Sequence, residues 1–235
     1  MTLLQLIQQF CRRNGLVAPT AVVDIVDDTS QQLLALLNEL LETLTLHKGT
    51  WQALQREATF TSVAAESQGE LTTLADEGFQ FVLNNTLFNR TTGRRLCGPL
   101  SPEQWQQMKA MTSTGELSYR IVRGELLLLP APAAGETIAF EYASTAAVVS
   151  ASDELKSYFT ADTDTCVFPD SLMLQGLRWM WLERKGLPYA EAMRTYELSL
   201  VKLFGHDGTK VALNLSETGK VVGPAVLVPR GSWDL

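Results

Sequence analysis

Histidine is nearly absent from this chain, and the two that occur, His47 and His206, show no HxxxH or HExxH spacing that would put two ligands on one helix face. A metal site needs several convergent ligands, so both read as surface residues at helix ends or in loops. Cysteine is equally sparse. Cys11, Cys97 and Cys166 lie far apart, are odd in number and form no CxxC pair, which argues against a disulfide framework or a zinc site. None has a neighbouring histidine to activate it, so the three read as small hydrophobic filler in a reducing compartment. No GxSxG elbow, Walker loop or GxGxxG turn occurs; the glycines fall at turns and helix stops. Long hydrophobic runs are missing as well: Leu126–Leu129 is short, and the leucines between Leu33 and Leu46 are interrupted by Asn, Glu and Thr, so neither run spans a bilayer. The first ten residues lack a basic leader and a small-residue cleavage site, so no export signal is expected.

Positive charge is also in deficit. The formal net charge is −7, and residues 57–168 carry the whole imbalance, with 14 acids against 7 bases, while the remainder holds 12 of each. An acidic chain without a broad basic stripe is a poor general nucleic-acid binder. What is present is ordinary globular material: 235 residues, 46% hydrophobic and 19% charged, enough to bury one composite domain or two small ones.

Both ends of the chain read as helical. Thr2 can cap a helix whose Leu3, Leu6, Ile7 and Phe10 share a face, with Asn14-Gly15 as its stop. After Pro19 and the Asp27-Asp28 pair, Thr29 or Ser30 can cap a longer helix with Leu33, Leu37, Leu40, Leu41 and Leu44 inward, closed by His47-Lys48-Gly49. This leucine stripe is too short for a multi-heptad coiled coil and reads as a core face. Further on, Asp170 can cap a helix with Leu174, Leu177 and Trp181 on one face, ending near Lys185-Gly186. Pro188 suits the first position of another, with Met193, Tyr196, Leu200 and Leu203 inward and Gly205 as its stop.

Between these parts the texture changes to short strand-like runs: Glu57–Val63, Phe79–Leu83, Thr86–Arg90, Tyr119–Val122, Glu125–Leu129 and Thr137–Tyr142. Arg123-Gly124, Asn84-Asn85 and Thr92-Gly93 suit tight hairpins, so an antiparallel meander closing as a sandwich or small barrel is expected. Ser101-Pro102-Glu103-Gln104 carries a hydroxyl cap, a first-turn proline and a capping-box glutamine, and starts one short helix running to about Met111. The fold expected is α+β: a helical body from residues 1–50 and 169–205, an inserted antiparallel β module from 51–168, and an extended C-terminal arm from 206–235.

Acidic pairs at Asp27-Asp28, Asp76-Glu77, Asp153-Glu154 and Asp162 with Asp164 are the carboxylates that could serve a catalytic or metal role. Adjacent loop acids are usually solvated faces or caps, and the Asp162-Thr163-Asp164 start of a calcium-loop pattern lacks its glycine and distal glutamate. Arg94-Arg95 beside Arg90, with Phe88 as the nearest aromatic, is the basic cluster of the β segment and reads as a solvated hairpin tip or an intersubunit ion pair. No catalytic, cofactor-binding or metal-binding residue is assigned, and no cofactor is expected.

The arm alternates glycine and proline with apolar patches, and its bases Lys210, Lys220 and Arg230 balance Asp207, Glu217 and Asp234. Apolar surface that a lone subunit need not bury suits contact with another chain, and Val226, Val228, Arg230 and Trp233 are the candidate partner-binding residues. Leu227-Val-Pro-Arg-Gly-Ser232 matches a thrombin recognition sequence, but Gly223-Pro-Ala-Val runs smoothly into it and Trp233-Asp-Leu follows, so it reads as native.

Five phrases in order, Trp51–Ala64, Gly98–Trp105, Phe140–Ser144, Phe159–Asp170 and Gly176–Ala190, resemble the head-to-tail adaptor family of short-tailed bacteriophages. The resemblance covers the first helix to about residue 215 and brings no catalytic motif. It implies a structural virion protein, assembled in the host cytoplasm and placed in the neck of the particle. Its partners would be the portal protein, the tail nozzle protein and further copies of itself in a ring, expected to be twelve-fold. Genomic DNA would pass through the channel without specific binding, and no membrane would be involved. A nozzle or stopper component is the alternative within the virion; a hydrolase is the alternative outside it, although no nucleophile and base pair supports one.

Overall fold

The computed structural model describes residues 1–23, 25, 27–46, 51–75, 78–110 and 116–207. Its class is α+β, as the alternation of patterns implies. Helix α1 (Leu3–Asn14) begins with the expected capping box, in which Thr2 accepts the Gln5 N–H and Gln5 reaches back to the Thr2 N–H, and Gly15 terminates it in the left-handed conformation. Helix α2 (Asp28–Thr45) buries the expected leucines and Leu36 besides. Its cap is Asp27, two residues before Thr29 and three before Ser30. The Asp27 carboxylate accepts both the Ser30 N–H at 2.9 Å and the Ser30 hydroxyl at 2.6 Å, and an anion is favoured over a neutral hydroxyl at the positive end of the helix dipole. His47, Lys48 and Gly49 lie outside the described residues.

A short 3₁₀ turn at Gln52–Leu54 leads into β1 (Gln55–Thr61), β2 (Ser67–Glu70), the single helical turn α3 (Leu71–Leu74), β3 (Phe79–Val82), β4 (Phe88–Asn89) and β5 (Arg94–Arg95). Helix α4 (Pro102–Ala110) follows with its capping box formed between Ser101 and Gln104. Next come β6 (Ser118–Val122), β7 (Glu125–Leu129), β8 (Thr137–Ser144), β9 (Val148–Val149), β10 (Leu155–Lys156) and β11 (Thr165–Cys166), then α5 (Asp170–Arg184) and α6 (Ala190–Asp207). All pairing between these strands is antiparallel.

The topology is not a simple meander. Strand β8 is the hub of the largest sheet: β1 pairs along its full length on one side, from Gln55 opposite Ala143 to Thr61 opposite Thr137. β3 and β4 follow one another along the other side. The Asn84-Asn85 turn therefore does not join two strands paired to each other. It is an excursion inside one line of pairing with β8, bridged by the Thr86 hydroxyl, which accepts the Glu141 N–H. Arg123-Gly124 does make the β6–β7 hairpin, both residues having positive φ (53° and 82°), and Thr92-Gly93 lies in the β4–β5 turn. β2 joins β7 and β6 in a second sheet. The sheets share one core, with Ala58, Ile138, Phe140 and Tyr142 from the first and Tyr119, Leu126 and Leu128 from the second, which is sandwich packing.

A second, larger core is helical. It joins α1, α2 and α5 with Trp51, Leu54, Ala147, Val148, Phe159 and Phe168, so the three-stranded sheet β10-β9-β11 and its flanks pack with the helices although they lie within segment 51–168. Helix α5 is central: Leu172, Met173, Leu174, Gly176, Leu177, Met180 and Trp181 are buried on more than one face, against α1, α2 and α6. Asp170 is the first residue of α5 and not its cap; Pro169 holds that position, and the Asp170 carboxylate instead accepts the Met1 amino group at 3.1 Å. α6 starts at Ala190, two residues after Pro188, and does not stop at Gly205. Its last turn is held by Phe204 edge-on to Trp51, with ring centroids 5.0 Å apart, and by Asp207, whose carboxylate accepts the Gln52 N–H.

The α2–α5 approach depends on Gly176. A methyl group there would lie 2.5 Å from Leu40 Cδ2 and 2.7 Å from Cδ1, and Leu40 is itself buried with nowhere to move. Gly176→Ala is expected to destabilise the protein by about 1–3 kcal/mol from overpacking, overriding the roughly 1 kcal/mol that alanine gains over glycine in a helix. Urea unfolding should show a lower midpoint with an unchanged slope. Adding Leu40→Ala to Gly176→Ala should cost clearly less than the two single losses summed.

Candidate interaction surfaces

Among the acidic residues of the sequence, Asp27, Asp162 and Asp164 are structural. Asp164 is fully buried (0% exposed side chain), and its carboxylate accepts the Thr160 and Ala161 N–H groups at 2.9 and 2.8 Å, with Lys156 Nζ at 3.4 Å. The neighbouring Asp162 carboxylate accepts the Val22 and Val23 N–H groups, each at 3.1 Å, and so pins the α1–α2 connection. The backbone carbonyls of the same two residues accept the N–H groups of Leu4 and Leu3, donors that a helix start leaves without intrahelical partners. What resembles the opening of a calcium loop is thus a knot that caps α1 and ties three chain segments. Among the described residues no group of three or more His, Cys, Asp or Glu side chains converges as a metal site would require. Asp76 and Glu77 lie outside the described residues, while Asp153 and Glu154 form the exposed β9–β10 turn.

The thiols are all free. Burial pushes Cys166 up to about 12, and burial with the nearby Asp27 charge raises Cys11, so both stay protonated and unreactive at neutral pH. Cys97 is exposed, with Sγ 3.9 Å from a Glu116 carboxylate oxygen. His206 lies exposed in the last turn of α6, and His47 is outside the described residues.

The arginine cluster flanks the β4–β5 turn. Arg90 pairs with Glu57 on β1, and Arg95 donates to the Asn85 side chain, so two of the three guanidinium groups are engaged by neighbours in the same chain. This places the Arg90 ion pair within the subunit and not between subunits. Beside it, Phe88 and Phe81 stand exposed on the outer sheet face, opposite the small residues Ala139 and Ala143 of β8.

The helical body presents two further surfaces. On α6, Leu198 is 64% and Val201 72% exposed, one turn apart on the side away from the core; of the expected inward residues only Tyr196 is fully buried, Leu200 and Leu203 being partly so. Between α1, α5 and α6 runs a cleft of ≈ 270 Å³ lined by Phe10, Arg13, Asn14, Leu174, Gln175, Arg178 and Thr195. The expected partner-binding residues Val226, Val228, Arg230 and Trp233 lie outside the described residues, as does the whole stretch 208–235.

The Asp162 and Asp164 carboxylates tie chain segments together, and Cys11 and Cys166 pack with the helical core while Cys97 is exposed. In comparison with known families, the model of the SU10 adaptor protein matches residues 1–202, and the chain belongs to that family of phage adaptor proteins. No curated protein matches the chain. Among the described residues no helix is long and apolar enough to cross a membrane.

The knot carries a pH signature. Burial disfavours the Asp164 carboxylate, but the Thr160 and Ala161 N–H groups and Lys156 together outweigh it and hold the group below the usual carboxylate range. A depressed folded-state pKa means the stabilisation is present above the unfolded value of about 4 and is lost as pH falls through the folded one. Asp164→Asn should cost about 1–3 kcal/mol at pH 7. Denaturant titrations of both proteins should show that gap narrowing below about pH 4.

Proposed function

We propose that this chain is the subunit of a head-to-tail adaptor ring that docks beneath the portal, extends the DNA channel and receives the tail nozzle. The observation that carries the reading is the adaptor family match, which runs from α1 into α6 and so includes both cores. Twelve copies around the axis and assembly in the host cytoplasm follow from the likeness to short-tailed phage adaptors. In this reading the helical segments 1–50 and 169–205 build the ring, the module within 51–168 projects from it, and Val226, Val228, Arg230 and Trp233 of the arm engage a partner.

The charge distribution supports a conduit. With 14 acids against 7 bases in residues 57–168, carboxylates facing a lumen repel phosphate and let DNA slide without adhering. An adaptor must also transmit load between partners, and the two packed cores supply rigid elements for that purpose.

Mixing the full chain with the portal protein of its phage should yield portal-bound rings visible by electron microscopy and countable by native mass spectrometry. A chain that remains unbound with portal present would sink the reading. Because α6 continues to Asp207, the informative truncation removes 208–235 and keeps the Asp207–Gln52 contact. That shortened chain should melt within about 2 °C of the full one and fail to bind portals stably. Full-affinity binding by the shortened chain would remove the arm from the mechanism.

A further inference from the structure

The cleft between α1, α5 and α6 holds two guanidinium groups that form no ion pair among the described residues, although Arg178 also lines an adjoining pocket with Glu191. Arg13 ends α1 and Arg178 lies midway along α5; both line the cleft and are exposed, and neither forms an ion pair with any described residue. The other polar groups of the cleft are largely spoken for. The Asn14 amide donates to the Phe10 carbonyl at 2.8 Å, and the Thr195 hydroxyl donates to the Glu191 carbonyl at 2.9 Å. Two forked cations match a peptide turn that brings carboxylates together.

The same body carries such a turn. Between β9 and β10, residues 151–154 are exposed, and Asp153 and Glu154 project there with no ion pair to any described residue. The turn is stiff. The Ser150 hydroxyl accepts the Ser152 and Glu154 N–H groups, at 3.3 and 3.0 Å, and the Ser150 carbonyl accepts the Asp153 N–H at 3.1 Å. It cannot reach the cleft of its own chain. β11, which pairs with β9, bridges to Thr2 at the start of α1, whereas Arg13 and Asn14 lie at the other end of that helix, roughly 16 Å away at 1.5 Å per residue. One subunit therefore bears complementary charges at opposite ends of α1, the arrangement that a heterologous, head-to-tail contact between identical chains needs to close a ring.

We infer that the Asp153–Glu154 turn of one copy docks in the Arg13–Arg178 cleft of the next, its carboxylates meeting the two guanidinium groups. The inference rests on the ring reading above but concerns contacts between copies, not contacts with the portal. The pairing is electrostatic at its rim, so it weakens as salt screens it.

Charge reversal tests it in the full-length chain without portal. Sedimentation velocity at low salt should show concentration-dependent self-association of the wild type. Arg13→Glu with Arg178→Glu should weaken it by about tenfold or more, as should Asp153→Arg with Glu154→Arg. All four positions are exposed, but Asp153 has a left-handed backbone and Arg13 sits in the last turn of α1, so circular dichroism melts should show both variants fully folded at the assay temperature with only a small drop in midpoint. The decisive arm mixes the two reversed proteins: each alone should stay monomeric, and the mixture should regain wild-type affinity between unlike copies. If either reversal leaves association unchanged, or if the mixture fails to associate, the assignment is wrong. A wild type that stays monomeric at every concentration yet forms rings on portals would also overturn this contact while leaving the ring reading intact.

Discussion

The approach of α5 to α2 at Gly176 and Leu40 joins segments from opposite ends of the chain, and everything between them must leave the helical core and return to it. Closing so long a loop costs conformational entropy, which only a large buried contact offsets. The contact is large because α5 is apolar on several faces and accepts α1, α2 and α6 around it. Trp51 then seals the exit of the chain from this core. It is buried, its indole N–H donates to the Leu44 carbonyl at 3.1 Å, and its ring meets Phe168 and Phe204 edge-on. The return is sealed by Asp162 and Asp164, which cap α1 and bind the α1–α2 connection.

Because both crossings are fixed within the helical core, the sandwich can fill a separate core of its own. Its central strand β8 binds β1 on one side and β3 and β4 on the other, so the strand that leaves the body first, β1, is pinned to one that arrives more than seventy residues later. Pinned through β8 in this way, the sandwich is a packing unit with its own core. Its surfaces differ in chemistry. The outer sheet face pairs Arg90 with Glu57 and exposes Phe81 and Phe88, while the body presents an apolar strip on α6 and, in the α1–α5–α6 cleft, Arg13 and Arg178, which form no ion pair among the described residues.

Local signals in the sequence determined the helices and several turns. The capping boxes at Thr2–Gln5 and Ser101–Gln104, the Gly15 stop and the Arg123-Gly124 hairpin depend on interactions within a few residues, so residue type and spacing suffice to identify them. The leucine faces of α1 and α2 were legible for the same reason, and the ordered phrases pointed to the adaptor family although no catalytic or metal motif was there to find.

Only the tertiary structure decided the rest, because partners distant in sequence compete with local preference. Asp27 outcompeted two nearby hydroxyls as a cap because a carboxylate suits the helix dipole better. Gly205 did not end α6 because Trp51 and Gln52, about 150 residues earlier, hold its last turn. Asn84-Asn85 did not make a hairpin because β8 offered pairing on both sides of the turn. The two-residue strands β5, β9, β10 and β11 are too short to show a period, and β2, with Gly69 in it, gives none. Asp164 looked like a metal ligand or a solvated acid, since nothing in sequence marks a carboxylate that will be buried under backbone N–H groups; that required α1, the β9–β11 sheet and the loop between them to meet in space.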